Sequence, residues 1–274
     1  LTWRISDCIK KTIDEDLTVF TTLDGEILNR DLTMGASEYY ACIRKTRFKK
    51  KKGVLPDPEY AGNLGYRTRG NLIERFSVTS IKSNLPAGAH LLLSGDDQKT
   101  LVSGRLSATP DGLILLADGT CYLIEIKSVD PRADIRSPKQ AHVAQCQQQM
   151  GLVREKTIFK PDKAVLLYVN CSDLSTVEFD IEYDPRAMEI ARSRAKMIFG
   201  PAADADLPAE GAYAGECKWC EFRNTCAATT VDALPKEKKA LDTAGEMELE
   251  HLIESRQVAA TSSDLAAKEK KIAD

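Results

Sequence analysis

The residues with the clearest chemical use lie between Asp111 and Lys127. Pro110-Asp111-Gly112 is a turn signal, and the later run Tyr122-Leu123-Ile124-Glu125-Ile126-Lys127 is an apolar strand interrupted by two charges. Strand side chains alternate, so Leu123, Glu125 and Lys127 share one face and Ile124 and Ile126 the other. A carboxylate and an ammonium on an apolar strand are costly unless they serve something. Phosphodiester hydrolysis is such a use. Asp111 and Glu125 would hold Mg2+ or Mn2+, hard ions that take oxygen ligands, beside the scissile phosphate. Lys127 would orient or activate the attacking water, or stabilise the charged transition state. A surface hairpin with an exposed Glu-Lys pair would share these letters, but the Pro-Asp-Gly turn and the apolar strand favour a site.

Two flanking segments extend the set. Arg67 to Phe76 reads as a helix carrying Glu74, a third carboxylate, and Pro138 to Val153 as another, with His142, Gln145 and Gln149 on one face. Together these segments resemble the PD-(D/E)xK nuclease superfamily. The resemblance implies a restriction-endonuclease-like α/β core, a central mixed β-sheet flanked by helices. It also implies a metal-dependent DNA exonuclease acting on single-stranded or end-bearing DNA in recombination, repair or CRISPR-type processing. Arg69-Gly70-Asn71-Leu72-Ile73-Glu74 is similar to the helix that supplies a further metal ligand, where lambda-exonuclease-like members carry Glu and RecB-type members His. The glutamine segment is similar to one in the RecB and lambda exonuclease families, which implies that Gln145 lies beside the lysine and contacts DNA or water. The RecB form would have Tyr at the position of Gln149, so the role of Gln149 stays open.

Cys217-Lys218-Trp219-Cys220 with Cys226 forms a C-x2-C-x5-C array, and three thiols so close in sequence point to a metal. Tetrahedral Zn2+ and a [4Fe-4S] cluster both want a fourth ligand. The segment Ser37 to Phe48, with Cys42, resembles the N-terminal half of the iron-sulfur motif of AddB-type nucleases and CRISPR-associated RecB-like exonucleases. That resemblance, over roughly residues 37 to 226, implies Cys42 as the fourth ligand and a cluster that staples the chain ends. Zinc remains the competing occupant. Cys8, Cys121, Cys146 and Cys171 read as buried thiols.

Arg44, Arg47, Lys49, Lys50, Lys51 and Lys52 concentrate positive charge after Cys42, with Tyr39, Tyr40 and Phe48 nearby. Cations that grip phosphates and rings that stack on bases would make this a DNA-binding arm.

The elements that must position these groups follow from periodicity and turn signals. A helix is expected from an N-cap at Ser37 to about Phe48. Short strands are expected at His90 to Ser94, Thr100 to Ser103, Leu113 to Leu116 and Cys121 to Ile126, in one meander. After the glutamine helix, strands at Ala164 to Val169 and Thr176 to Glu182 precede a helix over Pro185 to Phe199. The expected division is a peripheral segment 1–36, a nuclease core 37–200 with its cluster-linked helix, a cysteine segment 201–231 and a charged helical tail 232–274. The tail could pack on the core or on a protein partner.

At 274 residues the chain can bury a catalytic sheet without external help. Its net charge of -3 excludes a chain basic throughout, although a nucleic-acid binder needs only one positive face. No apolar run is long enough to span a bilayer and no signal peptide is visible, which gives a cytoplasmic expectation in a bacterial, archaeal or phage-encoded setting. Reduced thiols, rather than disulfides, fit that compartment. The alternative function is a non-catalytic DNA-binding or partner-scaffolding protein on the nuclease fold.

Overall fold

A computed structural model describes residues 20–58, 60, 64–213 and 216–226, all within the compact unit Leu1–Ala233. The expected tail helix and Cys8 lie outside the described residues. Among the described residues eight strands form two mixed sheets. The larger has the order β2-β5-β6-β7-β8, from His90–Leu92 (β2), Gly112–Leu115 (β5), Cys121–Val129 (β6), Lys163–Asn170 (β7) and Thr176–Glu182 (β8). Among the described residues its one parallel pair is β6 with β7, where Lys127 lies beside Tyr168 and Glu125 beside Leu166. The smaller sheet has the order β1-β4-β3, from Met34–Gly35 (β1), Leu106–Ala108 (β4) and Leu101–Ser103 (β3).

The expected single meander is therefore corrected: β2, β5 and β6 pair in one sheet, while β3 leaves it. β4, absent from the expectation, pairs antiparallel with β3 and parallel with β1, a segment about seventy residues away.

Helices cover both faces of the larger sheet. The first, α1 (Ile43–Lys50), begins later than expected. Ser37 falls in a 3-10 turn, Ala36–Glu38, whose Glu38 carboxylate accepts the Gly35 N–H at 2.8 Å. Cys42 occupies the N-cap position, and the Ile43 N–H is satisfied by Glu210 Oε2 at 2.8 Å. The second helix, α2 (Leu64–Asn84), is longer than expected and lies on the sheet face that presents Ile124 and Ile126. The glutamine helix, α3 (Gln140–Lys156), covers the opposite face, with Cys146, Met150, Leu152 and Val153 in the same core as Leu123, Leu166 and Tyr168. The alternation read from the sequence thus matches the two faces of β6.

α3 has little amphipathic pattern because it is enclosed by both sheets and by α4 (Arg186–Phe199). Its glutamines serve the backbone around it. Gln147 donates to the Glu182 carbonyl at 2.7 Å and accepts the Asp184 N–H at 2.8 Å, while Gln148 donates to the Met34 and Ser107 carbonyls. Buried amides on carbonyls fix the helix where apolar contacts alone would let it slide.

Gly151 sets the approach of α3 to α4. A Cβ there would stand 2.2 Å from Met188 Sδ and 2.3 Å from its Cγ, and Met188 is buried. Ala favours helices by about 1 kcal/mol over Gly, but the overpacking costs about 1–3 kcal/mol. Gly151→Ala is therefore expected to lower the urea midpoint, and a higher midpoint would refute the tight contact.

Candidate active site and cysteine pocket

Three carboxylates meet near Lys127, each delivered by a different element. β5 starts at Gly112, opposite Ile124. Beyond that point the edge of β6 has no partner strand on this side among the described residues, and the Ile126 N–H is taken by Asp111 Oδ2 at 2.7 Å. Glu125, on β6 itself, is 1% exposed. Glu74 comes from α2 and accepts from Gln98 Nε2 at 3.2 Å. Gln98 also donates to the Pro110 carbonyl at 2.9 Å, so one amide ties Glu74 to the turn that carries Asp111.

Glu125 is held from the opposite side by α3. Gln145 Nε2 donates to its Oε1 at 2.7 Å and Gln149 Nε2 to its Oε2 at 2.6 Å. Lys127 Nζ pairs with the same Oε1. Gln149, whose role was open, is thus half of a two-amide clamp. Its own Oε1 is buried without a hydrogen-bond partner.

Charge crowding sets the ionisation of this group. The Asp111 carboxyl is partly buried, and burial together with the Glu125 and Glu74 charges pushes it well above the usual carboxylate range. Burial likewise raises Glu74, the Gln98 hydrogen bond works against this, and Glu125 adds to it. For Lys127 burial disfavours the ammonium, but Glu125 and Asp111 outweigh it and hold the group above the ordinary lysine value. Three hard oxygen donors that repel one another fit Mg2+ or Mn2+ by donor chemistry. As the side chains stand, no group of three or more His, Cys, Asp and Glu residues among the described residues is arranged to hold a metal ion.

Sequence reasoning missed Gln98 and Tyr168. Gln98 sits at the end of a 3-10 turn with no motif, and Tyr168 reads as strand core until its hydroxyl is seen on His142 Nδ1 at 2.9 Å.

The four cysteines Cys42, Cys217, Cys220 and Cys226 line one small cavity of about 30 Å3, with Phe48 and Phe222 among its walls. Burial and the neighbouring cysteines raise the Cys217 thiol. The cysteine segment is fastened to the core by polar contacts. Asp57 caps its last turn, accepting the Asn224 N–H at 2.7 Å, and its own N–H reaches the Glu221 carbonyl at 2.7 Å. Among the other thiols, Cys146 is buried as expected, while Cys121 and Cys171 are only partly so.

Much of the basic run makes contacts within the fold. Arg44 is 5% exposed, and its guanidinium donates to the Leu207 and Ala205 carbonyls. Arg47 donates to the Ile198 and Gly200 carbonyls, and Lys50 to the Arg30 carbonyl while pairing with Glu38. Tyr39 donates to the Ala187 carbonyl, and Phe48 packs against Phe222 with centroids 5.6 Å apart. These groups hold α1 to the segment after α4. Lys49 and Lys51 are exposed but paired with Glu221 and Asp204, and Lys52 is exposed.

No helix among the described residues is long and apolar enough to cross a membrane. No family model matches the chain. No curated protein matches it either. Among solved structures it is similar to SSO0001, with 18% identity, 82% of this chain and 97% of that chain covered and a TM-score of 0.51, a likeness of fold. It is also similar to the alkaline exonuclease LHK-Exo from Laribacter hongkongensis, with 16% identity, 62% of this chain and 87% of that one and a TM-score of 0.42. A phage-related exonuclease from Haemophilus somnus 129PT matches at 14% identity over 61% of this chain and 92% of that one, with a TM-score of 0.41.

Proposed function

We propose that the chain is a metal-dependent DNA exonuclease of the PD-(D/E)xK kind, with the iron-sulfur arrangement of RecB- and AddB-like members. The observation that carries the reading is the meeting of Glu74, Asp111 and Glu125 around the Lys127 ammonium. In this reading the three carboxylates are the ligands of Mg2+ or Mn2+. The bound ion supplies Lewis-acid polarisation of the scissile phosphate and acidifies water. Gln145 and Gln149 hold the Glu125 carboxylate in one orientation, so that binding does not have to order it. In the metal-free site the carboxylate neighbours hold Lys127 as an ammonium, and in this reading it serves the transition state as a positive charge and donor. DNA with a free end or in single strands is the proposed substrate.

The test is cleavage of end-labelled single- and double-stranded DNA with Mn2+ or Mg2+, against a chelator control. Metal-dependent release of nucleotides from ends is expected. A protein inert on every end and strand, with its metal supplied, would instead favour a binding or scaffolding role.

Cys42, Cys217, Cys220 and Cys226 are the proposed ligands of a [4Fe-4S] cluster, with Zn2+ as the competing occupant. Four soft donors lining one cavity suit either by donor chemistry, although as the side chains stand they are not arranged around a metal ion. Bound there, the metal closes the long loop between α1 and the cysteine segment, so its loss acts on stability before chemistry. Anaerobically purified protein is expected to be brown, and Cys42→Ser to be colourless with a lower Tm. A colourless wild type carrying stoichiometric zinc would replace the cluster by zinc.

A further inference from the structure

The α3 face that clamps Glu125 continues one turn towards its N-terminus, where His142 stands three residues before Gln145. There the ring packs on Tyr168, the strand neighbour of Lys127, with centroids 5.5 Å apart. We propose that His142 is a phosphate-contacting residue, a neutral imidazole whose Nε2–H donates to an anionic oxygen of the DNA backbone beside Lys127. This inference rests on the nuclease reading for its substrate, though the state of the ring does not.

The direction of the proton follows from the partners of one hydroxyl. Tyr168 is 1% exposed, and its oxygen accepts the Lys139 N–H at 3.0 Å. Its other hydrogen-bond partner among the described residues is His142 Nδ1 at 2.9 Å. A buried phenol proton needs an acceptor, and the Lys139 N–H cannot be one. Nδ1 therefore accepts, which leaves the ring proton on Nε2. That nitrogen has no hydrogen-bond partner among the described residues, and the ring is only half-buried. Burial and the positive charges of Lys127 and Lys139 push the imidazole down to about 4, so it is uncharged at neutral pH. A neutral donor suits this position. An imidazolium would be repelled by Lys127, whereas an N–H adds a hydrogen bond to a phosphoryl oxygen without competing for Glu125.

Two measurements test this independently. In kinetics, His142→Phe removes the donor but keeps a ring, and is expected to lower kcat/KM about ten- to a hundredfold. His142→Gln, which returns an N–H near the same place and an oxygen that can accept the Tyr168 hydroxyl, should recover most of the loss; His142→Phe leaves that buried hydroxyl without its acceptor and should lower the Tm by a few degrees, so the rates are compared well below it. His142→Phe cleaving as wild type, or His142→Gln as impaired as His142→Phe, would overturn the proposal. In nitrogen-proton NMR of the imidazoles, the chain's three histidines can be assigned by the signal missing from His142→Phe. The Nε2–H tautomer is expected at pH 7, moving when a thymidine dinucleotide is added with Ca2+. An imidazolium, the Nδ1–H tautomer, or no response to the dinucleotide would overturn it. A wild type inert on all DNA defeats the nuclease reading alone, since the NMR outcome still decides the state and contact of His142.

Discussion

Lys127→Ala is expected to reduce cleavage by about a thousandfold while leaving DNA affinity, measured with Ca2+, within about threefold of wild type. The asymmetry follows from what the ammonium touches. It sits on Glu125 and near Asp111, where charge would develop during cleavage, whereas DNA affinity is spread over many phosphates. Removing it also strands Glu125, which is 1% exposed and would keep only the Gln145 and Gln149 amides. Breaking a buried pair from one side costs about 3–5 kcal/mol, so the assay belongs well below the variant's Tm. Lys127→Gln, which still donates to Glu125, separates the two effects: it should fold better than the alanine variant yet remain nearly as inactive. The pH dependence is a second check. In the metal-free protein its carboxylate neighbours hold Lys127 above the ordinary value, so in chelator its side-chain nitrogen should remain an ammonium by NMR throughout the neutral range. Metal-dependent cleavage by either variant at the wild-type rate would remove Lys127 from the chemistry.

What could be read beforehand was local. The alternation in β6 separated Glu125 and Lys127 from Ile124 and Ile126, and spacing alone put Gln145 and Gln149 on one face of α3. The smaller sheet escaped because its strands are two or three residues long and β1 finds β4 only through the folded chain. The internal contacts of the Lys and Arg run after Cys42 were hidden for a related reason. Composition registers the charge of Arg44, but its partners are carbonyls about 160 residues further on, which have no signature in sequence. Gln98 is the same problem in polar form, an unremarkable amide that gains meaning only when the turn before β5 brings Pro110 beside Glu74. Chemistry carried by a strand is therefore easier to see than chemistry carried by a loop, since a strand imposes a period and a loop does not.

Asp111→Asn is expected to do two opposite things, ending cleavage while making the metal-free protein more stable. In the folded chain the Asp111 carboxyl lies well above the usual range, through burial and the Glu125 and Glu74 charges, whereas in the unfolded chain it titrates near about 3.9. Below the unfolded value both states hold the proton and the residue contributes no pH dependence. As pH rises through that value the unfolded chain ionises first, so stability falls until the folded carboxyl also loses its proton and stays reduced above it. Asn carries no charge and still offers an oxygen to the Ile126 N–H, so the penalty disappears and the backbone contact survives. In chelator at pH 8 the variant should be more stable by about 1–2 kcal/mol, a few degrees in Tm, and the gain should vanish near pH 4. Adding Mg2+ or Mn2+ should raise the wild-type Tm and leave the variant nearly unmoved, because a ligand stabilises only the state that binds it. A wild type as stable as Asp111→Asn in chelator would show that the carboxylates do not repel one another enough to call for a cation. That result would take away the physical ground for placing a metal among them.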